Sequence, residues 1–99
     1  MPVNVRDDLS GLPGASLVAA GLDDLAAGRR TTDALLVSMA ATRLRAVGID
    51  VPPGLVARPG HQLYDDLRRT DPRTAHSRYN ALIRLLASFA RAAEHAGTR

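Results

Sequence analysis

His61 and Asp65 stand four residues apart, close enough on a helix to offer a metal two ligands from one face. Two ligands do not make a site, and no His-Glu-x-x-His pattern accompanies them, so the plainer reading is a solvated first turn. Glu94 and His95 are adjacent and point apart, as at a polar helix end. Ser10, Ser16, Ser38, Ser77 and Ser88 are available as nucleophiles, but none lies in a Gly-x-Ser-x-Gly elbow. Gly11 and Gly14 flank Leu12-Pro13 without the spacing or the lysine of a phosphate-binding loop. With no cysteine there is no thiolate ligand and no disulfide. These residues call for no metal and no cofactor. A different chemistry is offered by Arg73, Arg84 and Arg91, which helical spacing puts in one row beside Asn80. Such a row can hold a phosphate backbone or an acidic protein face, and is otherwise an ordinary solvated surface.

Arg69 and His76, with six residues between them, resemble the spaced Arg–His element of HEPN ribonucleases, which are small helical bundles acting as dimers. The resemblance implies that His76 moves a proton at a ribose 2′-hydroxyl and that Arg69 stabilises phosphate charge. Against it, 13 of the 99 residues are arginine, so an Arg at such a distance from a His arises easily by chance. Asp71-Pro72 is also foreign to that element. The competing reading of His76 is a helix-edge residue near Tyr79 and Asn80.

Composition bounds the elements that carry these residues. The chain has the length of one domain. Aromatics are only 3%, so the core must be built from Leu, Val, Ile and Ala. All basic residues are Arg, and every acid except Glu94 is Asp, a bias that GC-rich coding explains before function does. A formal charge of +3 permits an acidic partner without demanding one. The first residues lack a signal-peptide core and no apolar run approaches membrane-spanning length, so a cytoplasmic protein making no membrane contact is expected.

Residues 1–14 read as a flexible arm with a short turn near Val5–Leu9, and residues 15–96 as one helical domain. A first helix is expected over 15–27, with Leu17, Val18, Gly21, Leu22 and Leu25 on one face and Gly28 as its C-terminal stop. A second runs from Thr31 or Thr32 to near Gly48. Its main stripe is Leu36, Val37, Ala40, Ala41, Leu44 and Val47, and Leu35, Met39 and Ala46 form another strip almost opposite. A helix apolar on two sides is central or lies in an interface. Residues 49–60 hold three prolines and two glycines, and form an extended connector pinned by Val51, Leu55 and Val56. A short third helix covers 61–69. The fourth covers 72–96, with Asp71 as N-cap and Pro72 at its first position. Its apolar arc is Ala75, Tyr79, Leu82, Ile83, Leu86, Phe89, Ala90 and Ala93, and Leu85 falls outside that arc as an exposed contact. The expected architecture is all-α, a single small bundle of four helices with a Pro-rich connector between helices two and three.

Three phrases, GLDDLAAGRRTTDALLVSMAATRLRAVGIDVP, HQLYDDLRR and AHSRYNALIRLLASFARAAE, resemble in their order small bacterial helical proteins encoded beside nucleotidyltransferase-like toxins. The resemblance spans residues 21–94 and implies an antitoxin-type partner that masks or holds the enzyme. It transfers no functional residue. The expected function is thus a non-enzymatic helical interaction protein, with Arg73, Arg84, Leu85, Arg91, Leu35 and Met39 as its partner-binding residues. A homodimer through helix two or four is the other assembly to expect. The alternatives are a HEPN-like, metal-independent ribonuclease and a nonspecific nucleic-acid-associated protein. With two Tyr and one Phe, the chain has few stacking platforms for single strands. The connector after Gly48 is no helix-turn-helix turn.

Overall fold

In the computed structural model, residues 11–97 are described, and all their regular structure is helical. Helix α1 is Ala15–Ala26, α2 Thr32–Met39, α3 Ala41–Ala46, α4 Pro59–Thr70 and α5 Ala75–Gly97. The all-α expectation holds. The count of four does not, because the long second helix is two helices broken at Ala40. There φ is −100° and ψ is 9°, and the Ala40 N–H is shared between the carbonyls of Leu36 and Val37 at 3.2 Å each. Alanine is the best helix former, so no local preference marks the break. It falls just past the buried run Ala34–Ser38 and frees α3 to reach α5 through Arg43.

Gly21, on the buried face of α1 with Val18, Leu22 and Leu25, is what lets α1 and α2 approach so closely. Thr31 starts α2. Its hydroxyl accepts from the Ala34 N–H at 3.1 Å and donates to Asp24 on α1, so one side chain caps a helix and ties the loop. Arg29 donates to the same carboxylate, and the two bonds hold Asp24 below the usual carboxylate range.

Helix α2 is central, packing on α1, α4 and α5. Leu35, Leu36 and Val37 have no exposed surface. The Pro-rich connector is pinned on two sides. Arg45 donates to the carbonyls of Val51 and Pro52, and the Val56 N–H donates to the buried Ser38 hydroxyl. Val51 is buried and Val56 half-buried as expected, but Leu55 points to solvent.

The last helix begins later than its sequence suggests. Asp71 caps a tight turn instead: its side chain accepts from the Arg73 N–H and its carbonyl from the Thr74 N–H. The helical ladder starts only with the Arg78 N–H bonding to Thr74, so Pro72 and Arg73 lie in the turn before α5. Ala75, Leu86, Phe89, Ala90 and Ala93 bury the inner face of α5, and Tyr79, Leu82 and Ile83 pack partly against the core. Of the arm expected over residues 1–14, residues 1–10, with the turn near Val5–Leu9, lie outside the described residues. Residues 11–14 form a turn in which Leu12 packs on the core and Gly14 (φ 80°) rests against Leu85 and Phe89.

Candidate functional site

Where α2 breaks into α3, the chain turns alongside α5 and leaves an open groove of about 220 Å³. Met39, Ala40 and Arg43 form one wall, Leu86 and Ala90 the floor, and Ile83 and Ala87 the far side. Its surface is mostly aliphatic. Positions 83, 87 and 90 recur at helical spacing, so the groove follows the axis of α5 over about 10 Å at 1.5 Å per residue. Small residues make it a depression: Ala40, Ala87 and Ala90 stand where larger side chains would fill the seam.

Both ends of the groove are structured. At one, Gly60 of α4 approaches Met39 and Tyr79, where an added Cβ would lie 3.3 Å from the Met39 Cε and from the Tyr79 hydroxyl. Tyr79 in turn meets Tyr64 edge-on, ring centroids 5.4 Å apart. At the other, Arg43 makes a two-pronged bond to Glu94, 2.6 and 2.9 Å, joining α3 to α5. That bond holds Glu94 below the usual carboxylate range, aided by the charges of Arg43 and Arg91, and raises the affinity of Arg43 for its proton.

Arg84 and Arg91 border the groove. They stand three residues before and four after Ala87, and are its neighbours on the helix surface. Both are exposed. Among the described residues no hydrogen bond or ion pair engages the Arg84 side chain, whereas Arg43 is committed to Glu94. The outer flank of the groove is therefore cationic.

The proposed partner-binding residues divide accordingly. Met39, half-buried, lines the groove, and Arg84 and Arg91 flank it. Arg73 is exposed but sits in the turn before α5, out of register with the other two arginines. Leu85 is 37% exposed, yet lies two residues from both Ile83 and Ala87 and so across the helix, beside the Gly14 turn. Leu35 is 0% exposed and is core, offering a partner nothing. Of the strip it shares with Met39 and Ala46, Leu35 alone is sealed in the core, while Met39 lines the groove and Ala46 is exposed. Ala40, Arg43, Ile83, Ala87 and Ala90 were not anticipated as site residues. The alanines were visible at helical spacing, but their role as gaps depends on what packs opposite.

Arg69 and His76 have separate partners. The guanidinium of Arg69 pairs with Asp66, which also receives a two-pronged bond from Arg30 at 2.8 and 3.3 Å. The two arginines, Arg30 foremost, hold Asp66 below its ordinary range. His76 is exposed, its Nε2 3.2 Å from the Asn80 amide and its ring edge-on to Tyr64 at 6.4 Å. The spacing that resembles a catalytic pair thus places one residue in an ion-pair cluster that ties α4 to the α1–α2 loop and the other on a helix edge.

Asp65 pairs with Arg68, 4.0 Å away, while His61 is exposed. Among the described residues no group of three or more His, Asp or Glu could hold a metal ion, and no helix is long and apolar enough to cross a membrane. No protein family matches this chain, and no curated protein or solved structure is significantly similar to it.

Proposed function

We propose that this chain is a non-enzymatic interaction protein that binds and neutralises a nucleotidyltransferase-like enzyme, an antitoxin-type role. The observation that carries the interaction reading is the open aliphatic groove between the α2–α3 break and α5, bordered by Arg84 and Arg91. Ligand pockets commonly span roughly 300–1,000 Å³. A groove of about 220 Å³, open along its length, suits side chains of a protein partner better than a cofactor. The choice of enzyme rests on the sequence resemblance over residues 21–94. Nucleotidyl transfer uses acidic residues to hold metal ions, so the enzyme's site is electronegative and an arginine flank is drawn to it.

Recovery of the tagged chain from its host tests this. The expected result is one nucleotidyltransferase-like protein in fixed ratio, with its activity suppressed in the complex. Recovery of the chain alone, or with RNA only, would refute the reading. In that case RNA cleavage without added metal, lost in His76→Ala, becomes the experiment to run.

A further inference from the structure

We infer that the groove is a receptor for an acidic amphipathic helix, whose apolar stripe lies against Met39, Ile83, Leu86 and Ala90 and whose carboxylates meet Arg84 and Arg91. This deepens the proposed function and rests on it for the identity of the protein that carries the helix.

The shape argues for a helix. The groove runs parallel to α5, and its lining recurs at positions 83, 87 and 90. A helix laid alongside presents apolar side chains at the same three-to-four spacing, as in other helix-in-groove complexes. The depth fits too, since three alanines allow close approach while Leu86 and Met39 supply floor and wall.

Charge selects the flank. Arg84 and Arg91 are seven residues apart, about 10.5 Å along the axis. An antiparallel or parallel helix with acids seven residues apart on one flank places a carboxylate at each. Arg43 does not compete, because Glu94 already occupies it.

Charge also argues against a second copy of this chain. A second copy seated on this face would offer Arg84 and Arg91 no free carboxylate from α5, since Glu94, the acid of that helix, is already paired with Arg43. Nucleic acid would satisfy the arginines but leave the aliphatic lining uncovered by phosphate.

The test uses the full chain and two labelled helical peptides. Each carries a leucine stripe flanked by charged residues seven apart, glutamate in one and lysine in the other. Fluorescence anisotropy and amide NMR shifts are the readouts. The acidic peptide is expected to bind, to move the resonances of Met39, Ala87 and Ala90, and to weaken with salt. Arg84→Glu with Arg91→Glu should cost roughly tenfold in its affinity and favour the lysine peptide. If the reversal disturbs the helix by circular dichroism, Arg84→Gln with Arg91→Gln should still show a graded loss. Failure of the acidic peptide to bind, equal binding of both peptides, or shifts confined to other helices would overturn the inference. So would a dimer by sedimentation that Ala87→Glu dissociates, or an RNA that displaces the peptide from the same residues.

This assignment and the proposed function fail separately. If the acidic peptide failed to bind while the chain still recovered the enzyme in fixed ratio, the groove assignment would fall and the function stand. If the peptide bound with the expected charge dependence but no such enzyme were recovered, the reverse would hold.

Discussion

Gly21→Ala adds one methyl group at the closest approach of α1 and α2. The new Cβ would sit 2.5 Å from the Val37 Cγ2, 2.8 Å from the Asp33 carbonyl carbon and nearer still to the carbonyl oxygen. Val37 is fully buried, and the Asp33 carbonyl is backbone in the first turn of α2, so neither yields by a side-chain rotation. Restoring an ordinary carbon–carbon contact of about 3.5 Å to Val37 requires the helices to part by roughly 1 Å. Overpacking of this kind costs about 1–3 kcal/mol, and against backbone the upper end applies. Alanine returns about 1 kcal/mol through helix propensity. The net expectation is a loss of about 2 kcal/mol, a melting temperature lower by roughly 8–16 °C in a domain this small. Thermal circular dichroism and urea titration measure it. Gly54→Ala is the control, since nothing lies within 4 Å of the added atom, and it should leave the melting point unchanged or slightly higher. A Gly21→Ala protein as stable as its parent would refute the close-approach argument.

Thr31→Ala should cost about 1 kcal/mol by urea titration, because it removes the cap of α2; Thr31→Ser should keep most of it, and an unchanged midpoint for the alanine would show that the cap is idle. Leu35→Ala should cost about 2–5 kcal/mol, as for a buried leucine without room to collapse; a loss below 1 kcal/mol would mean that the site is far looser than its burial indicates. Stability should fall as pH drops below about 4. Asp24, Asp66 and Glu94 have folded-state pKa values below their ordinary ones, so their contribution is complete above that range and is lost as they protonate. Asp33, raised first by burial and then by Asp24, has the opposite sign and favours the folded state at acid pH. The three outweigh the one if the urea midpoint drops between pH 7 and pH 3 and Asp66→Asn flattens that drop; a midpoint that rose on acidification would reverse the balance.

The helical class and most of the inner faces were legible in the residues themselves. Val18, Leu22 and Leu25 on α1, and Ala75, Leu86, Phe89 and Ala93 on α5, recur at the three-to-four spacing of a helix. Gly28 and Gly48 end their helices at φ 76° and 89°, where only glycine is comfortable. These are local facts, decided by a side chain and its neighbours within one or two turns.

The site was not local in that sense. Met39, Arg84 and Arg91 could be picked out as residues, but the groove they share exists because Ala40 breaks a helix that its composition would continue. Leu35 and Leu55 show the same limit from opposite sides: both are leucines in apolar stretches, yet one is sealed under neighbouring helices and the other faces solvent. Asp71-Pro72 carries the signature of a helix start, but its hydrogen bonds close a turn three residues early. By itself the chain's pattern determined which surfaces must be covered. Only the tertiary structure decided what covers them, because burial depends on which helices meet, and that is set by contacts such as Gly21 on Asp33 and Arg43 on Glu94 between residues far apart in sequence.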